Sequence, residues 1–189
     1  MDSGIQACNI SSVSVCRATK VVLLEGSNFC ALTKSFQTKI DFVKLLERLA
    51  LDCDLLEARW YTAIYPGSPV EGLVTAVRHC GWTPIVRTIP QYQKETKGNM
   101  DNWIAPDLVA FATIGHAKIG KRVDVITLVC GDGGFTWALE NYVKPQGVRI
   151  QVLGSRKPGI NGRMSPRLLE IADDFVDFES ILPEIELKN

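Results

Sequence analysis

The sequence predicts an α/β fold in which a mostly parallel sheet is covered by helices on both faces, a three-layer αβα sandwich. Two observations carry this. Short, continuous apolar runs such as Val21-Val22-Leu23-Leu24 and the β-branched stretch 124–130 have the composition of strands buried on both sides. Amphipathic stretches of helical spacing separate these runs, and strict alternation of strand and helix builds right-handed crossover units and a parallel sheet. A chain of 189 residues fills one hydrophobic core and is short for two.

The elements follow in order. Residues 1–19 are Ser-rich and aperiodic and predict a loosely attached N-terminal arm with a short strand at 13–16. The main domain is expected over 20–179, followed by an acidic tail at 180–189. After the first strand, Ile40, Val43, Leu46, Leu49 and Ala50 recur at three-to-four spacing and predict one helix over 32–51. A strand at 59–65 is stopped by Pro66-Gly67, a helix at 69–80 is closed by Gly81, and Thr83–Thr88 is a third strand. A polar loop spans 90–102, a helix 104–117 and the fourth strand 124–130. A helix at 135–143, a strand at 148–153, a Gly/Pro/basic loop at 154–164, a short helix at 165–172 and a last strand at 175–178 complete the prediction.

Composition removes several classes of function. Hydrophobic residues are 46% and charged residues 22% of the chain, which excludes bulk disorder. No run approaches the roughly 18 apolar residues of a membrane span, and the first residues lack the basic and apolar regions of a secretory signal. Six cysteines without a C-x-x-C pair read as reduced thiols, so a cytoplasmic protein without a membrane partner is expected. The dinucleotide fingerprint fails at Thr136, and neither a Walker A sequence nor a G-x-S-x-G elbow is present. His79 and His116 read as packing or surface residues, Cys130 as an inert strand-end thiol, and the four Trp as core, with Trp103 near the mouth of the site as a lesser candidate for base stacking.

In a parallel sheet the ligand site lies beyond the carboxyl ends of the strands, where the strand order reverses. Glu25-Gly26-Ser27-Asn28 leaves the first strand and Cys130-Gly131-Asp132-Gly133-Gly134 the fourth. Capping by Ser27 or Asn28 and turn formation by Asp132 are equally ordinary uses of these residues. With Asp101 and Asp107 after the third strand, carboxylates converge on one sheet edge, a hard-oxygen set suited to Mg²⁺ or Mn²⁺.

The segments VVLLEGSNF, KGNMDNWIAPDLVAFA, VDVITLVCGDGGFTWAL, GVRIQVLG and SPRLLEIADDFVDF, in this order, resemble the NYN domain of the PIN-like nuclease superfamily, in its bacterial LabA-like branch. The resemblance implies a Rossmann-like fold and a metal-dependent ribonuclease acting on single-stranded RNA. It implies Glu25, Asn28, Asp101 and Asp132 as catalytic residues, with Glu25, Asp101 and Asp132 on the metal and Asp107 and Lys97 auxiliary. Two departures stand out: Glu25 replaces an Asp, and Gly134 replaces the second Asp of the turn. A catalytically degenerate RNA-binding or protein-interaction module is therefore the alternative. Such domains also pair through exposed helices, so a homodimer is a further expectation.

Arg156, Lys157 and Arg163 lie in a loop leaving the same edge, and Lys94 extends this basic set. They read either as a solvated loop or as a clamp for RNA phosphates. Formal charge balances at 21 against 21, yet residues 168–189 hold seven acids and only Lys188 as a base. The zero is the sum of a basic body and an acidic end, and the tail is expected to fold over the basic edge in competition with RNA.

Overall fold

The computed structural model describes residues 17–65, 67, 70–90 and 100–188. Six strands form one parallel sheet: β1 (Ala18–Glu25), β2 (Cys53–Ile64), β3 (Thr83–Thr88), β4 (Val125–Val129), β5 (Arg149–Gly154) and β6 (Asp174–Asp177), in the order β3-β2-β1-β4-β5-β6. The order runs outward in both directions from the β1/β4 pair. This is a doubly wound, Rossmann-like sheet, and its switch point lies between the ends of β1 and β4.

Alternation along β1 divides the core in two. Val21 and Leu23 pack with Ile126, Leu128, Ile150 and Val152 beneath α4 (Asp101–Thr113), and α6 (Pro166–Ile171) covers the same face. Val22 and Leu24 pack on the opposite face beneath α1 (Gly26–Ser35), α2 (Phe42–Leu49), α3 (Val70–His79) and α7 (Phe178–Ile185). All four residues are fully buried, so the apolar run of β1 is explained by two covered faces. On the second face Lys20 Nζ donates to Leu49 O (2.8 Å), which satisfies a carbonyl at the C-terminal end of α2.

Several expectations are corrected. The single helix over 32–51 is two. Phe36 ends α1, Gln37 takes a left-handed φ of 53°, and Asp41 starts α2 by accepting from the amides of Val43 and Lys44. The break lets Ile40 bridge to Glu186. The helix expected over 104–117 begins at Asp101 and ends at Thr113, because Gly115 turns the chain with φ 80° and no room for a Cβ beside Lys121 O. The helix expected over 135–143 is a composite: a 3₁₀ turn (Gly133–Phe135), α5 (Thr136–Ala138), a π turn (Leu139–Val143) and a 3₁₀ turn (Lys144–Gln146).

Both ends of the chain also differ from expectation. Ala18 and Thr19 belong to β1, where Thr19 N and Oγ1 each donate to Asp124 Oδ2 at 2.8 Å; the strand expected at 13–16 lies outside the described residues. The acidic segment is not a free tail. Phe178, Ile181 and Ile185 are buried in the second core, Glu184 pairs with Arg48 (3.1 Å), and Thr38 Oγ1 donates to Glu186 Oε1 (2.6 Å). These contacts hold α7 against α1 and α2. No helix among the described residues is long and apolar enough to cross a membrane.

Candidate active site at the switch point

The ends of β1 and β4, the start of α4 and the loop after β5 meet at one edge. Glu25, the last residue of β1, is 6% exposed and caps α1: Oε1 accepts from Ser27 N (3.1 Å) and Ser27 Oγ, and Oε2 accepts from Asn28 N. A cap of this kind places negative charge at the positive end of the helix. Gly26 follows because a Cβ there would lie 2.7 Å from both Trp60 Nε1 and Tyr61 O of β2. Asn28 does not point to solvent; its Oδ1 accepts from Gly131 N (2.8 Å) and ties α1 to the turn after β4.

That turn presents Asp132. Its backbone N–H donates to Cys130 Sγ (3.3 Å), and its Oδ1 accepts from Gly134 N (3.0 Å), which caps the 3₁₀ turn. Gly131 is held by a close approach: a Cβ would lie 2.6 Å from Arg163 O and 2.7 Å from Gly162 O. Asp101 comes from the first turn of α4. A Cβ at Gly134 would lie 3.6 Å from Asp101 Oδ2 and 3.6 Å from Asp132 Oδ1, so these oxygens are at most twice that distance apart across an open gap. The Cys130 thiol records the same convergence. Burial pushes it well above its ordinary range, the Asp132 amide acts in the opposite sense, and the charges of Glu25, Asp132 and Asp101 raise it further. A buried neutral thiol is no nucleophile, as expected.

Four predicted residues, Glu25, Asn28, Asp101 and Asp132, are thus brought together, and at least three of them also bond within the fold: both Glu25 oxygens cap α1, Asn28 Oδ1 ties α1 to Gly131, and Asp132 Oδ1 caps the 3₁₀ turn. Asp107 is not part of the cluster; it accepts from Tyr61 OH (2.6 Å) and pairs with Arg59 Nη1 (2.6 Å). Arg59 also grips Glu57, and Glu57 Oε2 lies 3.0 Å from Nε2 of buried His116, so Asp107 ends a network that ties β2 to α4. Burial first, then the hydrogen bond to Asp107, holds the Tyr61 hydroxyl far above its ordinary range.

Among the described residues no group of three His, Cys, Asp or Glu side chains is spaced to hold an ion. The carboxylates nearest Gly134 are those of Asp101 and Asp132. This pair suits an ion that keeps most of its shell as water and substrate phosphate, which is the habit of Mg²⁺.

The basic set is dispersed. Ser155 is fully buried, donates to Glu179 Oε1 (2.8 Å) and accepts from Lys157 N (3.0 Å), which pins the start of the loop. The Arg156 guanidinium lies 4.2 Å over the Phe175 ring and Lys157 Nζ 5.2 Å over Phe36, with both residues exposed. Arg163 is exposed and its backbone bridges to Ser155. Lys94 and Lys97 lie outside the described residues.

One residue near the site escapes sequence reasoning. Trp60 and Trp82 are core, but Trp103 is 42% and Trp137 62% exposed. Phe135, Ala138, Leu139 and Val143 point inward at three-to-four spacing, and that spacing leaves Trp137 on the solvent side.

With strand order, edge and carboxylates in place, the class is that of a doubly wound domain with an acidic site at its switch point. The NYN domain model matches residues 20–183, and the chain belongs to the NYN domain family. No curated protein matches it. Among solved structures it is similar to VPA0982, a protein of unknown function from Vibrio parahaemolyticus, at TM-score 0.73 and 20% identity, covering 92% of this chain and 99% of that one. That likeness shows the shared fold. A mutant enoyl thioester reductase of Candida tropicalis matches at TM-score 0.36 and 9% identity over 91% of this chain and 40% of its own, a level that carries no argument.

Proposed function

We propose that the chain is a metal-dependent ribonuclease of single-stranded RNA, in the LabA-like branch of its family, with Asp101 and Asp132 as its catalytic pair. The observation that carries this reading is the placement of Asp101 Oδ2 and Asp132 Oδ1 each 3.6 Å from the vacant Cβ position of Gly134, beside the switch point. Asp101 and Asp132 would hold Mg²⁺ or Mn²⁺. A bound ion of this kind supplies a water of lowered pKa and neutralises charge on a phosphoryl oxygen.

The chain's own residues set the frame. Glu25 fixes the first turn of α1, Asn28 clips that turn to Gly131, and the two together hold Asp132 against the end of β4. Gly134 leaves space beside the carboxylates for a phosphate. Arg156, Lys157 and Arg163 supply positive charge along the rim, which contributes affinity that weakens with salt.

A second reading, a non-cleaving RNA-binding module, is favoured by the same Gly134 and by the occupied oxygens of Glu25. Incubation of the protein with labelled unstructured RNA separates the two. Cleavage that requires Mn²⁺ and disappears with chelator and in Asp132→Asn supports the nuclease; binding without cleavage in every divalent ion supports the module.

A further inference from the structure

Resting on the RNA reading above, we propose that the cleft between α4 and residues 134–142 is a base-binding subsite in which Trp137 stacks an unpaired base of the substrate strand. The cleft has a volume of about 610 Å³, within the range of small-ligand sites. Ala105, Pro106 and Val109 of α4 line one side, and Gly134, Trp137 and Tyr142 line the other. The facing rings of Trp137 and Tyr142 are 62% and 41% exposed. These rings meet edge to face, centroids 5.3 Å apart, so each steadies the other and neither is folded into the core. They stand on the π turn at Leu139–Val143 and the short α5 before it, a local irregularity of the kind that often marks functional sites.

Continuity with the reacting edge selects the occupant. Gly134, whose vacant Cβ position lies between Asp101 and Asp132, is itself a wall of this cleft, and Asn102, next to Asp101, is another. A strand with a phosphate at the carboxylate pair therefore enters the cleft with its adjoining nucleotide. On its other side Trp137 borders a second depression of about 460 Å³ lined by Lys144 and Arg167 and by the acids Glu140 and Glu170. Arg167 is exposed and makes no ion pair among the described residues, while Lys144 Nζ lies 3.8 Å from Asp173. An exposed aromatic ring beside an apolar floor, continuous with the carboxylate edge, matches the flat face of an unpaired base.

The full chain tests this with fluorescein-labelled oligouridylate in EDTA, which prevents cleavage. Stacking on one aromatic ring predicts that Trp137→Ala weakens binding by roughly five- to hundredfold. Trp137→Phe, which keeps a ring and the fold, recovers most of that loss. The salt dependence of affinity stays as in wild type for both, because no phosphate contact is removed, whereas Arg167→Ala lowers its slope by about one. Equal affinity of wild type, Trp137→Ala and Trp137→Phe overturns the subsite, as does a Trp137→Ala variant whose only change is dissociation of a dimer in sedimentation, which would assign the face to self-association. The nuclease reading fails separately: Trp137-dependent binding with no cleavage in Mn²⁺ leaves the subsite standing, and cleavage indifferent to Trp137 leaves the nuclease standing without it.

Discussion

Replacing Gly134 with Asp places a third carboxylate in the gap between Asp101 and Asp132. A Cβ there meets Asp101 Oδ2 and Asp132 Oδ1 at 3.6 Å, ordinary van der Waals contact, so the backbone accepts the side chain without displacement. The added charge has a cost. Two like charges 4 Å apart in water repel by about 1 kcal/mol, and the variant makes two such pairs on an open surface where salt reduces the figure. The metal-free variant should lose about 1–2 kcal/mol, which for a domain of this size lowers the melting temperature by about 2–8 °C. A divalent ion reverses the sign: at one hundred times its Kd a ligand stabilises by about 2.7 kcal/mol, or about 5–11 °C. Thermal melts in EDTA and in saturating MnCl₂ should therefore show Gly134→Asp below wild type without metal and a much larger Mn²⁺ shift than wild type. A variant that melts like wild type in both conditions refutes the convergence of Asp101 and Asp132 on residue 134.

Glu25→Gln removes the charge and one acceptor from a buried cap; it should cost about 1–3 kcal/mol in denaturant titration, and Glu25→Asp, whose carboxylate also suits a cap, should cost less. Asp107→Asn cuts the Arg59 and Tyr61 contacts, so it should lower the melting temperature while leaving the rate of RNA cleavage at 25 °C unchanged. Mass-mapped alkylation should modify exposed Cys30 quickly and Cys130 only in denaturant, since burial and three acids keep the Cys130 thiol protonated. Asp124 is held below the usual carboxylate range by the amide and hydroxyl of Thr19. Its folded pKa is the lower one, so its contribution is present above the unfolded carboxylate pKa and is lost as pH falls through the folded value. The stability difference between wild type and Asp124→Asn should accordingly be constant near neutrality and vanish in acid.

β1 and β4 were legible because they are apolar on both faces, whereas the strand expected at 59–65 runs over Cys53–Ile64, its first half, with Asp54 and Glu57, lacking a continuous apolar run. The strand ends followed, and with them Glu25, Asn28, Asp101 and Asp132. What the carboxylates do was not legible. Asp and Glu have the same hydrogen-bonding repertoire whether they hold an ion, cap a helix or pair with arginine, and only partners distant in sequence distinguish Glu25 at α1 from Asp107 on Arg59 and Tyr61. The α1/α2 break was hidden because Ile40 stands three residues before Val43 and so carries the helical period of α2 back across a non-helical turn. The acidic end misled through its charge: Phe178, Ile181 and Ile185 are spaced for a buried helical face, and that face, rather than the acids, decides where the segment goes.

In the proposed nuclease Asp101 and Asp132 form the reacting pair, while Glu25 caps α1 and Asp107 is bound to Arg59 and Tyr61. Single-turnover cleavage of labelled unstructured RNA in Mn²⁺ by wild type, Asp101→Asn, Asp132→Asn and Asp107→Asn tests it directly. Cleavage by wild type and Asp107→Asn, with loss of at least a hundredfold in each of the other two, is the predicted result; equal cleavage by Asp101→Asn or Asp132→Asn, in folded protein, contradicts it.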